Sequence, residues 1–431
     1  MSIVRQVSDK GEFCFVHAAD LHLDTPFKGL GEVAPDVAKA LREASLEAFD
    51  ALVELCLERA AAFLVLAGDI YDGAERGLRA QLRFLAGLER LSAAKIPVFV
   101  AHGNHDPVEE GWSAIRRWPE GVHVFSDKEV ECIPVVRGGR AIAAVQGISF
   151  DRGAVTENLA LRFSRPERGV FSVAVLHCNV VGASEEHDPY SPCTLNDLLE
   201  KGICYWALGH IHARSVLAGR PHSDESFVVY PGNLQARSPK PSEQGEKGAC
   251  VVHVSGGRVA ELEHVACDRI RFAELEIDVS ACEDLAELSG ELGEAAAEAL
   301  ERADGRSLVV KARLSGRGPC HAELAREGAL GELLASLRDG PQRRPFFWWD
   351  RLIDDTRPGL DLASLLEEGD FASVLLELAE GRARAVGDEL FHKMPKDLAQ
   401  MARELFESEI DPDVLDEEAS VTALDVLELT S

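Results

Sequence analysis

With 431 residues, 74 acidic against 45 basic side chains and a formal charge of −29, the chain is too long for one ordinary core and too acidic to grip nucleic acid through a broad basic face. Its 46% hydrophobic and 28% charged residues suit a globular protein of two or three domains of roughly 100–200 residues each. Apolar runs such as Ala60–Ala67 fall far short of the roughly 18 residues a membrane-spanning helix needs, the N-terminus lacks a signal-like apolar core, and ten cysteines show no CxxC spacing. A cytoplasmic protein without membrane association, its thiols reduced and mostly buried, is therefore expected. The acidity does not exclude nucleic-acid chemistry, because exposed charges are screened beyond about 8 Å at physiological salt and bound metal ions dominate locally. From Met401 to Ser431 ten acidic residues face one basic residue, so this tail is a poor surface for DNA.

Along the chain, a strand Phe13–Ala18 leads to a helix near Val37–Arg59, in which Leu41, Ala44, Ala48, Leu52 and Leu55 recur at helical spacing. A strand Phe63–Ala67, a helix near Leu78–Ser92 and a strand Pro97–Ala101 complete a βαβαβ order. Further strands are expected at Arg140–Ile148, Phe171–His177, Tyr205–Gly209, Phe227–Pro231 and Ala249–Val254. Strands this apolar are buried on both faces, which predicts a layered α/β sandwich flanked by helices. After Cys267 the texture changes to a small α+β unit: strand Phe272–Val279, helix Glu283–Arg302, strand Ser307–Leu314, helix His321–Leu337 and the aromatic Phe346–Trp349. Phe371, Val374, Leu375 and Leu378, then Leu398, Met401 and Leu405, mark amphipathic C-terminal helices. Three segments are expected: a catalytic domain over 1–267, a cap over 268–357 and an acidic helical region over 358–431.

Five polar clusters fall at the C-terminal ends of expected strands, where an open α/β sheet presents its ligand-binding groups. They are Asp20-Leu21-His22, Gly68-Asp69, Gly103-Asn104-His105-Asp106, His177 and Gly209-His210-Ile211-His212. Singly, each has an ordinary reading as a turn, a helix cap or a core histidine; only the His210/His212 pair, projecting to one side of an extended segment, suggests chelation by itself. Five successive strand ends offering oxygen or imidazole donors make the ordinary readings jointly improbable.

In this order the clusters resemble the calcineurin-like metallophosphoesterases over roughly Phe13 to Val254. The resemblance implies two divalent ions, with Asp20, His22 and His212 on one, Asn104, His177 and His210 on the other, and Asp69 shared. Two such ions about 3.5–4 Å apart activate water and neutralise phosphoryl charge. Mixed carboxylate and imidazole donors suit manganese, iron or zinc over magnesium, and the resemblance favours Mn2+. It also implies that His105 faces the scissile phosphate as an acid or electrostatic stabiliser. Asp106 is expected to orient His105, Asp72 to form a turn or helix cap, and His17 and His102 to pack. His187 and His222 lie in polar loops without ligand partners.

The stretches Ala19–Leu30 and Tyr230–Arg237 look like the YhaO branch of bacterial DNA-repair exonucleases, related to SbcD. That likeness implies manganese-dependent cleavage of DNA, exonucleolytic, by the nuclease subunit of a repair complex. It implies a cap that selects DNA, C-terminal helices that engage an SbcC-like coiled-coil ATPase, and a homodimer. Arg214 and Arg237 follow the histidine pair closely enough to contact substrate phosphate. Arg338, Arg343, Arg344 and Arg351 beside Phe346–Trp349 are read either as a duplex-binding edge or as solvated charges around a domain-interface cluster. Two rivals stand beside this reading: a phosphodiesterase or phosphatase of nucleotides and other small molecules, and a non-catalytic scaffold.

Overall fold

A computed structural model of the protein describes residues 11–359, apart from 24, 26–32, 74–76, 110–112, 166–168, 184–187 and 340–342. The helices expected beyond residue 359, most of the stretch from Asp24 to Leu30, and His187 lie outside the described residues. In chain order the elements are β1 (Phe13–Ala18), α1 (Pro35–Glu58), β2 (Leu64–Ala67), α2 (Leu78–Ala93), β3 (Val98–Ala101), β4 (Val122–Val124), β5 (Glu131–Arg137) and β6 (Arg140–Gly147). There follow β7 (Phe171–His177), α3 (Leu195–Leu199), β8 (Tyr205–Gly209), β9 (Ser215–Ala218), β10 (Phe227–Tyr230), β11 (Gly248–Ser255) and β12 (Arg258–Ala266). These strands form two six-stranded sheets, ordered β12-β11-β1-β2-β3-β4 and β5-β6-β7-β8-β10-β9.

The sheets pack face to face, and the period of two along each strand explains how. On β1, Phe13 and Phe15 turn into the space between the sheets with Phe63, Val173 and Tyr205, while Val16 and Ala18 turn outward to Leu52, Phe84 and Leu88 of α1 and α2. Phe15 stacks on Phe63 with ring centroids 4.7 Å apart. On the far face of the second sheet Ala174, Leu176, Trp206 and Leu208 are covered by Leu159, Phe163 and Leu198. In these two sheets sequence reasoning missed four strands, β4, β5, β9 and β12, and each is the edge of its sheet. Edge strands keep one side in water, so their residues are only partly buried and lack the apolar run that betrays a central strand.

A second unit follows: β13 (Ile270–Asp278), α4 (Leu285–Arg302), β14 (Ser307–Ser315), β15 (Arg317–Gly318), α5 (Cys320–Leu324), α6 (Ala329–Arg338), β16 (Phe347–Asp354) and β17 (Arg357–Pro358). Strands β13, β14 and β16 run parallel and enclose, with α4 and α6, a core of Leu288, Leu292, Val310, Leu333 and Trp349. The single helix expected over His321–Leu337 is two helices, because Gly328 takes a left-handed conformation (φ 84°) between α5 and α6. The other face of this sheet meets α1, where Val37, Ala40 and Leu41 pack on Phe272, Val309, Phe346 and Trp348. The aromatic segment is thus interface core. Arg338 lies over the Trp348 ring at 4.8 Å and donates to the carbonyls of Trp349 and Asp350, Arg344 pairs with Glu47 at 2.6 Å, and Arg351 pairs with Asp350 at 2.8 Å. These bonds favour the interface reading of the basic strip over the duplex-binding edge.

All ten cysteines are free thiols and most are buried. Among the described residues no helix is long and apolar enough to cross a membrane.

The glycines of the motifs have a steric reason. A Cβ on Gly209 would lie 1.9 Å from the Ala67 carbonyl oxygen, and one on Gly103 would lie 2.3 Å from Asp69 Oδ1. Strand ends can converge only where no side chain stands between them. Gly209→Ala is expected to cost about 1–3 kcal/mol of stability, since backbone cannot move aside as a flexible side chain would. Chemical denaturation checks this; an unchanged midpoint would show that β2 and β8 can separate at no cost.

Candidate metal centre

The ends of β1, β2, β3, β7 and β8 carry the candidate residues, and the backbone there is bent sharply to present them. Asp20, His22, Asp69 and His210 all have positive φ, at 52°, 41°, 52° and 103°. Such angles cost an L-residue of order 1–3 kcal/mol and persist only where surrounding bonds over-determine them. Here the bonds are explicit. The Asp20 amide donates to the Gly68 carbonyl at 3.0 Å and the His22 amide to the Asp69 carbonyl at 3.0 Å. The His105 amide donates to Asp69 Oδ1 at 3.0 Å, and the His210 amide lies 3.0 Å from both carboxylate oxygens of Asp20.

All seven residues singled out as metal ligands converge. His22 Nε2 lies 3.7 Å from Asp69 Oδ2 and 3.2 Å from His212 Nε2; His177 Nε2 lies 3.5 Å from Asp69 Oδ2 and 2.9 Å from Asn104 Oδ1. The His210 ring is 5.2 Å from that of His177. Three sets of donor atoms each lie within 4.8 Å of one another: Asp20, His22 and His212; Asp20, Asp69 and His177; and His22, Asp72 and His105.

Hydrogen bonds on the far ring nitrogens aim lone pairs inward. His177 Nδ1 donates to the Ala67 carbonyl at 2.9 Å, His212 Nδ1 to Glu243 Oε1 at 2.8 Å, and His210 Nε2 to the Asp188 carbonyl at 2.8 Å, which leaves Nε2, Nε2 and Nδ1 respectively as acceptors. Burial pushes the Asp20 carboxyl well above its ordinary range, with the Asp69 charge adding to it, and raises Asp69 to about 6. Burial likewise lowers His177 to about 4 and holds His22 well below the usual imidazole range. Neutral imidazoles facing crowded, electrostatically costly carboxylates are an arrangement that a divalent cation relieves, so the residues fit the metal pair implied by their pattern.

Two expectations reverse. Asp106 does not orient His105; it accepts from the amides of Gly103 at 2.9 Å and Ile70 at 3.0 Å and from His102 Nδ1 at 3.0 Å, tying the second and third motif loops together. Asp72 is no mere turn or cap. Its Oδ1 lies 3.2 Å from His105 Nδ1, 3.3 Å from His22 Nδ1 and 2.5 Å from Arg237 Nη1. Burial opposes its charge, but the adjacent His105 and His22 imidazoles and the Arg237 guanidinium hold it far below the usual carboxylate range. His105, half-exposed, is lowered by burial and raised more by Asp72 and Asp69, so its net shift is upward.

Arg237 joins the cluster through Asp72, whereas Arg214 is exposed and its charge acts on the Cys250 thiol and on His264. His17 packs as expected, 3.0 Å from the Tyr205 hydroxyl and 3.2 Å from the Leu208 carbonyl. His222 stands in a loop outside the cluster. Sequence reasoning passed over Glu243 altogether. Nothing local marks it, since its partner His212 lies 31 residues away.

A double β-sandwich with buried carboxylates and imidazoles converging from five strand ends defines a metal-dependent phosphoesterase of the calcineurin-like class. The family model for calcineurin-like phosphoesterases matches residues 14–214, and the model for the middle domain of metallophosphoesterase YhaO matches residues 272–357. The chain belongs to the YhaO family of metallophosphoesterases: it is 35% identical over 355 residues to the uncharacterised metallophosphoesterase YhaO of Bacillus subtilis strain 168, covering 82% of this chain and 84% of that one. More distant relatives are the DNA double-strand break repair proteins Mre11 of Thermoplasma acidophilum, 26% identical over 59% of this chain and 66% of that one, and of Archaeoglobus fulgidus, 27% identical over 51% and 50%.

Proposed function

We propose that this protein is a manganese-dependent DNA exonuclease that cleaves phosphodiester bonds with two metal ions, as the nuclease subunit of a cytoplasmic DNA-repair complex. The observation that carries the reading is the clustering of Asp20, His22, Asp69, His177 and His212, with Asn104 and His210 against them, beside an Asp72–His105 pair, in a chain whose distant relatives are named for double-strand break repair. Asp20, His22 and His212 would hold one ion, Asn104, His177 and His210 the other, and Asp69 both. When bound, the ions supply Lewis acidity toward the phosphoryl oxygens and lower the pKa of the attacking water.

The chain's own residues do the rest. Asp72 accepts from His105 Nδ1, which fixes the ring and favours the imidazolium, leaving Nε2 to donate to the phosphate or to the departing sugar oxygen. Arg237 is anchored through Nη1 on Asp72, and its buried Nε has no hydrogen-bond partner among the described residues. The exposed part of this guanidinium, on a side chain 23% accessible, is a cationic donor beside the cluster that suits a non-bridging phosphate oxygen. The domain scheme 1–267, 268–357 and 358–431 belongs to the same proposal, with the last segment engaging an SbcC-like coiled-coil ATPase and a homodimer as the working unit. With a charge of −29, isolated protein should bind DNA weakly and gain affinity by tethering to such a partner.

The test compares manganese-dependent release of nucleotides from end-labelled duplex DNA with hydrolysis of a chromogenic phosphodiester, with and without the ATPase. Cleavage of both is expected, DNA cleavage rising with the partner. Hydrolysis of the diester alone, even with the partner present, would assign the site to small substrates; inactivity on both with every divalent ion would leave a scaffold.

A further inference from the structure

Glu243 is a carboxylate only 5% exposed, at the end of a short 3-10 turn, Pro241–Glu243, between β10 and β11. Its oxygens are fully committed. Oε1 accepts from His212 Nδ1 at 2.8 Å; Oε2 accepts from Asn233 Nδ2 at 2.8 Å and from the Arg237 amide at 2.9 Å. The same segment closes on His212 a second time, since the Asn233 amide donates to the His212 carbonyl at 3.1 Å. Buried Lys247 then clamps the base of the loop, its Nζ donating to the carbonyls of His212 at 3.1 Å and Ser242 at 2.9 Å.

We infer that Glu243 is a positioning residue: one buried carboxylate fixes the tautomer of His212 and the path of the chain into Arg237, coupling metal retention to the placement of the phosphate-facing arginine. The inference rests on the metal reading of His212 given above. Its chemistry requires an acceptor on both oxygens. A glutamine offers one acceptor and one donor. If its oxygen stays on His212, its amide hydrogens face the donors of Asn233 and Arg237. If it turns over to satisfy those two, its amide faces His212 Nδ1, and the ring must move its proton to Nε2, the nitrogen aimed at the cluster. The second arrangement keeps two of the three bonds and is the one expected, so the variant is read at His212. A role in stability alone would not invert the tautomer.

The experiment measures Mn2+ binding to metal-stripped, full-length wild type, Glu243→Gln, His212→Ala and the double variant by calorimetry, together with 15N spectra of histidine-labelled protein. Glu243→Gln is expected to bind at least one ion about 10- to 100-fold more weakly, to convert one histidine from the Nδ1–H to the Nε2–H tautomer, and to add no further loss in the His212→Ala background. Wild-type affinity and tautomer in folded Glu243→Gln would overturn the role of Glu243 while leaving the metal reading intact. Equal Mn2+ binding by wild type and His212→Ala, or none by wild type, would overturn the metal reading itself and this inference with it. Should Glu243→Gln fail to fold, Glu243→Asp keeps the charge but withdraws the oxygens by one methylene; weakened binding supports the inference and unchanged binding overturns it.

Discussion

Asp69→Asn is expected to empty the metal centre and to lower phosphodiester hydrolysis on the order of a thousandfold or more, about 4 kcal/mol of transition-state stabilisation. The substitution is nearly isosteric, and an asparagine oxygen can still accept the His105 amide that Asp69 Oδ1 now takes at 3.0 Å. What it removes is the charge between His22 Nε2 and His177 Nε2, 3.7 and 3.5 Å from the other oxygen. Elemental analysis after dialysis reads the occupancy, and full occupancy in the variant would contradict the shared role of Asp69. The same variant carries a second, opposite expectation. In metal-free protein, burial raises the Asp69 carboxyl from its unfolded value of 3.8 to about 6. The folded state therefore binds more protons than the unfolded state between about pH 4 and 6, and stability falls as pH climbs through that window. Metal-free Asp69→Asn should consequently melt higher than metal-free wild type at pH 7–8 and lose that advantage below pH 4. Loss of function with a gain in apoprotein stability separates a functional carboxylate from a structural one.

His105→Gln should retain its metal and lose roughly 10²- to 10⁴-fold in kcat, the usual contribution of a positioned acid or base. The ring is half-exposed and held by Asp72, by an edge contact with the His22 ring and by its own backbone, so the fold should tolerate the change. Asp72→Asn should cost less, because it leaves the imidazole in place but withdraws the carboxylate that orients it and favours its protonated form. It also releases Arg237, so KM should rise with the fall in kcat. Steady-state kinetics on a chromogenic diester distinguish the two variants: a His105→Gln enzyme with wild-type kcat would remove this residue from the chemistry, and an Asp72→Asn enzyme with unchanged KM would uncouple Arg237 from substrate.

The sequence by itself determined which strands are central and where the donors stand along them. Residues such as Phe15, Val65 and Ala207 lie on strands buried on both faces, and that burial leaves an uninterrupted apolar run that ends abruptly in polar ligands. The glycines of the motifs were visible too, although the reason for them, contact with the Ala67 carbonyl and with Asp69, was not. The edge strands left no such trace because half of each faces water.

Only the tertiary structure decided which acid serves which histidine. Asp106 is next to His105 in the chain yet binds the amides of Gly103 and Ile70, while Asp72, from another strand end, takes His105 and Arg237, the latter 165 residues away. Glu243 reaches His212 across 31 residues by the same kind of long-range closure. Hydrophobic patterning is a property of neighbours in sequence, repeated with the period of a strand or helix, and can be read along one dimension. The pairing of polar side chains depends on the direction in which each strained strand end turns, and that direction exists only once the sheets have packed.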